Sequence, residues 1–232
     1  MRTLQFRSLS LAALTVLVLA TNTLAQTPAA PAPLSAAEFQ QLVSSGTPAD
    51  HARLKAYFSA LADQDIAEAK RHDAMQQAFA RNTKMGAMAT SMSAHCKRLA
   101  DISKASAAST RELAAEHDTL AAGATFTPPV SRPMTAGVET TSDTEWSALA
   151  AKATTAADHQ RLEQYFTAQA TRYDRDAANH TAYAKSWRAS TKAPNAASIA
   201  AHCDQIAAQK NDAAKEARSA ANMHKQHAAQ MK

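Results

Sequence analysis

Nine histidines lie in this chain, and the placing of eight of them makes metal chemistry the first possibility to weigh. His51, His72, His95 and His117 occupy the first half, and His159, His180, His202 and His224 the second. Neutral imidazoles brought together from several helices suit Zn²⁺, Cu²⁺ or a related transition ion. Glu68 stands four residues before His72 and Asp176 four before His180, one helical turn in each case. Each carboxylate can therefore reach its histidine, fixing the imidazole tautomer, or reach the same ion. Cys96 and Cys203 directly follow His95 and His202, but a rotation of about 100° per residue turns them off the histidine face. They remain open as thiolate ligands, as a disulfide between halves, or as small buried side chains. Met85, Met88 and Met92 lead into His95 as a soft-donor run suited to Cu(I), and the second half lacks it. His227 has no counterpart in the first half.

An internal duplication positions these residues. Ala49-Asp50-His51-Ala52-Arg53-Leu54 returns as Ala157-Asp158-His159-Gln160-Arg161-Leu162. At the same offset Tyr57, Phe58, His72 and Phe79 match Tyr165, Phe166, His180 and Trp187. After a one-residue deletion, Ala94-His95-Cys96 and His117 match Ala201-His202-Cys203 and His224. Upstream, Ser35-x-x-Glu38 mirrors Ser142-x-x-Glu145, the capping-box start of a short leading helix in each half.

Composition makes every element helical. The 232 residues include 59 alanines and four glycines, with 5% aromatics. Alanine has the highest helix propensity, and the β-branched and aromatic residues that strands prefer are scarce. Thr47-Pro48-Ala49-Asp50 provides a cap, a proline at the first helical position and an acid at the third, and Thr155 to Asp158 repeats the cap and the acid. These signals predict helices over 48–82 and 87–122 in the first repeat and 156–189 and 195–230 in the second. The breaks fall at Lys84 to Gly86 and near Lys192-Ala193-Pro194. Positions 51, 54, 58, 61, 65, 68, 72, 75 and 79 step by threes and fours, so the histidines lie inside the buried stripe. The expected fold is all-α: a four-helix bundle of two tandemly duplicated antiparallel hairpins, each preceded by a short helix, running up-down-up-down about a pseudo-twofold along the bundle axis.

Residues at one height of an antiparallel hairpin share a constant sum of residue numbers. His51 with His117 and His72 with His95 give 168 and 167, and the second hairpin gives 383 and 382. The expectation is two levels: one of His51, His117, His159 and His224, the other of His72, His95, His180 and His202. A rise of 1.5 Å per residue sets the levels about 32 Å apart, which makes them two separate metal sites.

The chain organises as a signal peptide (1–25), a Pro/Ala-rich segment without order (26–34), repeat one (35–122), a Thr/Pro-rich linker (123–141) and repeat two (142–232). Arg2 and Arg7 precede an apolar run from Leu9 to Ala20, and Thr23-Leu24-Ala25 fits a signal-peptidase site, so export to the periplasm or medium is expected. No later run reaches the ~20 apolar residues of a spanning helix. The formal charge of +5 falls to about +3 without the two leader arginines, and its acids and bases are interspersed, which excludes a nucleic-acid footprint. Leu, Ile, Val and Phe number only 21 beyond the leader, so the core is thin and rich in Ala methyls.

Signatures of phosphate loops, nucleophile elbows, His-Glu-x-x-His zinc enzymes and covalent haem are absent, and no enzymatic activity is expected. Asp50 and Asp158 have a sufficient role as helix-start acids, Tyr57, Phe58, Tyr165 and Phe166 as core residues, while Arg53 and Arg161 have no assigned role. The leading expectation is an exported copper- or zinc-binding bundle for metal buffering, delivery or sensing, with metal ions as partners. The alternatives are an electron-transfer protein holding haem b between two axial histidines, and an envelope scaffold or stress protein whose histidines are structural or form a pH switch.

Overall fold

The computed structural model of the protein describes residues 34–125 and 143–231. The expected signal peptide, most of the Pro/Ala-rich segment, the bulk of the linker and the expected Ser142 cap lie outside the described residues. The described chain is helical: α1 (Ala36–Ser45), α2 (Pro48–Arg81), α3 (Ala87–Ala121), α4 (Asp143–Lys152), α5 (Ala156–Ala189) and α6 (Ala196–Gln230), with a 3-10 turn over Thr83–Met85.

The helix starts are set by side chains that satisfy otherwise orphaned amides. Ser35 with Glu38, Thr47 with Asp50, and Thr155 with Asp158 each form a complete capping box, opening α1, α2 and α5. Asp50 and Asp158 thus have the structural role expected of them. Between α2 and α3 the chain reverses at Gly86, whose φ of 55° and ψ of −133° suit a residue without a Cβ.

Helices α2 and α3 form one tightly packed hairpin and α5 and α6 the other, as the duplication requires. The hairpins join with α3 packed directly on α6. Between α2 and α5 the gap is filled by the short helices, exchanged between repeats: α1 packs on α5 as well as α2, and α4 lies along α2. Phe39 of α1 stacks on Tyr183 and meets Trp187 edge-on. Trp146 of α4 covers Tyr165, while Asn82, at the end of α2, donates to the carbonyls of Ala150 (3.0 Å) and Ala153 (3.1 Å). Arg53 reaches Glu38 of α1 at 4.0 Å.

The relative direction of the hairpins corrects the expected topology. Tyr57 meets Tyr183, His72 meets Tyr173, and Phe58 meets His180, so α2 and α5 run antiparallel. Ser109 meets Gln209 and His95 meets Met223, so α3 and α6 do too. The order is up-down-down-up, with the hairpin turns at opposite ends and the pseudo-twofold perpendicular to the bundle axis. The end of α3 and the start of α5 then lie at opposite ends of the bundle, with α4, packed on α2, leading into α5.

Two apolar half-cores result. One holds Phe39, Leu54, Phe58, Leu113, Tyr183 and Trp187. The other holds Met75, Phe79, Met92, Leu162, Phe166 and Tyr173, backed by the Ala213, Ala214, Ala217, Ala220 and Ala221 surface of α6. Alanine there lets backbones approach closely, which is how a chain with few large apolar residues builds a close-packed interior. A buried polar belt crosses mid-height. Asp65 accepts from Ser106 (2.7 Å) and is paired with Lys210, and Glu68 is paired with Arg172 and accepts from Tyr173 (2.6 Å).

Candidate functional site

The capping box of α2 sets the first turn so that His51 points inward toward the last turns of α3. There its Nδ1 lies 3.1 Å from Nδ1 of His117. The second hairpin repeats the arrangement, with His159 and His224 Nδ1 atoms 2.9 Å apart. In each pair the facing nitrogens are within hydrogen-bond distance, one donating and one accepting when both rings are neutral.

Aromatic rings enclose both pairs in the same way. Phe58 stacks on His117 with planes 5° apart, and Phe166 stacks on His224 with planes 11° apart. The opposite hairpin contributes the second wall: Trp187 beside His51 and His117, and its repeat counterpart Phe79 beside His224. Burial pushes the His117 and His224 imidazoles down to about 3, with a further push the same way from the partner histidine and, at His224, from His227 and His95. His51 and His159 are lowered in the same direction by burial. All four rings are therefore neutral at physiological pH, the state in which imidazole binds metals. Nε2 of His117, His159 and His224 is buried without a hydrogen-bond partner among the described residues.

The two expected levels of four histidines are not formed. Because the hairpins are antiparallel, the His51/His117 pair and the His159/His224 pair sit at opposite ends of the bundle. His224 adjoins Phe79, 28 residues along α2 from His51, which at 1.5 Å per residue separates the pairs by about 40 Å. The second level is dispersed likewise. His72 Nε2 lies 3.3 Å from the Tyr173 hydroxyl and 3.7 Å from Glu68. His180 packs against Phe58 and Tyr183. His95 meets Glu216 and Met223, and His202 meets Glu116 (3.2 Å) and Glu112 (3.6 Å). Among the described residues no group of three or more His, Cys, Asp or Glu is arranged to hold an ion.

The accessory residues divide. Glu68 does reach its histidine. Burial alone would raise its carboxyl, but Arg172, His72 and Lys210 override that and hold it well below the usual carboxylate range. Asp176 faces Arg175 at 3.6 Å, and burial raises its carboxyl. Cys96 and Cys203 are free and buried, one in each half-core, so they do not form a disulfide. Burial pushes the Cys203 thiol up to about 12 and the Cys96 thiol higher still.

Sequence reasoning noted His227 only as unmatched and passed over two further features. His227 meets the His159 ring edge-on at 4.5 Å, although its place three residues after His224 already set it on the same face. Met223, one residue before His224, contacts His95. The bases Arg172 and Lys210, which compensate Glu68 and Asp65, occupy stripe-adjacent positions where the other repeat has Gln64 and Ser103, so the repeat itself hid them. Comparison with protein-family models, with curated proteins and with solved structures found no match for this chain.

Proposed function

We propose that this protein is an exported binder of transition-metal ions, copper or zinc, with one site at each end of the bundle, serving metal buffering, delivery or sensing. The observation that carries the reading is the facing of two Nδ1 atoms in each hairpin, 3.1 and 2.9 Å apart. Two imidazoles bound to one ion at about 2.0–2.1 Å stand that far apart when the angle at the ion is about 90–100°. Remaining coordination positions are left to water or an incoming donor, as a protein that passes its ion on requires. Export rests on the leader features of residues 1–25; among the described residues no helix is long and apolar enough to cross a membrane.

A purely structural role fits less well: it gains one hydrogen bond per pair of buried polar rings, where leucine would fill the same space without their desolvation cost. The buried Nε2 atoms do not separate the readings, since an ion held on Nδ1 leaves them unpaired too. Nor does the geometry favour haem, whose two axial nitrogens stand about 4 Å apart on opposite sides of the iron. Here Phe58 and Trp187 already cover the His117 ring where a porphyrin plane would extend.

The test is a titration of the mature chain with Zn²⁺ and Cu²⁺ against a chromophoric chelator. Two equivalents are expected, with His117→Ala removing one and His224→Ala the other. Folded protein that takes neither ion at micromolar concentration would leave the histidines structural.

A further inference from the structure

The ends of the bundle are related by the repeat, yet their outer histidines meet different chemistry. His95 and His202 are counterparts, and so are Met223 and Glu116. His202 Nε2 faces the Glu116 carboxylate at 3.2 Å, while His95 Nε2 faces the Met223 thioether, with N···S of 3.1 Å. A hard oxygen donor at one end is replaced by a soft sulfur donor at the other.

The tautomer of His95 makes this contact informative. Its Nδ1 hydrogen-bonds the Glu216 carboxylate, which is also bound by Arg98 Nε at 2.6 Å. An ionised carboxylate only accepts, so this contact calls for the proton on Nδ1; the Arg98 guanidinium nitrogen 3.0 Å from the same ring atom has the Glu216 carboxylate, at 2.6 Å, as its acceptor. In the neutral ring Nε2 is then a bare lone pair, and it points at the sulfur of a thioether, which is an acceptor too. Two acceptors at 3.1 Å repel unless an electron-pair acceptor lies between them. A carboxylate that orients an imidazole through its far nitrogen is the usual support of a metal-bound histidine.

Further methionines share the neighbouring core. Met92, one turn before His95, is a fully buried member of the apolar cluster against which Met88 and Met223 pack. Bonds of about 2.0 Å to nitrogen and 2.3 Å to sulfur span this N···S distance at an angle of about 90°. We propose that His95 and Met223 form a soft-cation site that takes Cu(I), oriented by Glu216 and distinct from the histidine pairs. Thioether and imidazole donors select a monovalent soft ion over Zn²⁺, whereas the His202 end, with Glu112 and Glu116, offers only nitrogen and oxygen. The inference extends the metal-binding reading and does not require ions at the histidine pairs.

The experiment is an anaerobic Cu(I) titration of the mature chain under reducing conditions against a chromophoric Cu(I) chelator, with X-ray absorption on the loaded protein. The expected result is a Cu(I) equivalent with sulfur at about 2.3 Å in its shell. Met223→Leu, a half-buried and nearly isosteric change, should weaken that binding at least tenfold and remove sulfur scattering, with helicity and Zn²⁺ stoichiometry unchanged. Glu116→Gln should leave Cu(I) binding alone. Equal Cu(I) affinity in Met223→Leu, or a copper shell of nitrogen and oxygen only, overturns the proposal. A simple imidazolium donating to sulfur would give that result. Zinc binding that survives this failure leaves the histidine pairs standing, and Cu(I) binding without zinc would sink the pairs alone.

Discussion

Removing Lys210 should be among the most damaging single changes at mid-height, and the structure says why. The Lys210 ammonium and the Asp65 carboxylate are 6% and 7% exposed and paired with each other, and Asp65 has the Ser106 hydroxyl as a further partner. Lys210→Met keeps most of the aliphatic stem but removes the ammonium, which lies 5.8 Å from the centre of the Tyr173 ring, and leaves Asp65 buried without its cation. Breaking such a pair costs about 3–5 kcal/mol. For a domain of this size each kcal/mol moves the thermal midpoint by about 2–4 °C, so a loss of about 10 °C is expected. Asp65→Asn combined with Lys210→Met removes both charges and should recover most of the loss, because the penalty belongs to the uncompensated carboxylate. Thermal melts of the two single variants and the double variant at pH 7.5 measure the cycle. A midpoint unchanged in Lys210→Met, or a double variant as unstable as the single one, would refute the reasoning.

Three further outcomes are expected. In metal-free protein His117, His180 and His224 are neutral when folded, pushed down to about 3 by burial, and titrate near 6.5 when unfolded. The unfolded chain then binds more protons, so stability falls as pH drops from about 6.5 toward about 3. Equal urea midpoints at pH 7.5 and pH 5 would contradict this. Cys96 and Cys203 should resist thiol reagents in the native state and react fully in denaturant, and rapid native labelling would be inconsistent with their burial. Asn82→Ala strips two bonds to the end of α4 and should cost about 1–3 kcal/mol, with faster amide exchange in α4 than in α2; uniform exchange would argue against that anchoring.

Local structure was written plainly in the residues, and the assembly of the hairpins was not. Helix ends followed from Thr47, Pro48, Thr155 and Gly86, whose chemistry acts within one turn, so the expected spans agree with the observed ones to a residue. Pairing within hairpins followed too: His51 meets His117 and His159 meets His224, as the constant sums require. That arithmetic says nothing about how one hairpin faces the other. Mid-height charges could not decide it either. Asp65 stands 14 residues from both His51 and Phe79, so it meets the middle of the second hairpin whichever way that hairpin points. The informative feature was the connection from Ala122 to Thr155, far longer than adjacent antiparallel helices need and long enough to return along the bundle. The expected up-down-up-down order, which sets the two hairpins pointing the same way, merged two histidine pairs that the fold holds apart.

The most direct test of the account is the distance between two bound Cu²⁺ ions, measured by pulsed dipolar electron spin resonance on the mature chain loaded with two equivalents. One ion at each histidine pair predicts a single distance near about 40 Å that vanishes in His117→Ala and in His224→Ala. A distribution centred well below about 35 Å, or a dipolar signal that survives both substitutions, would contradict it.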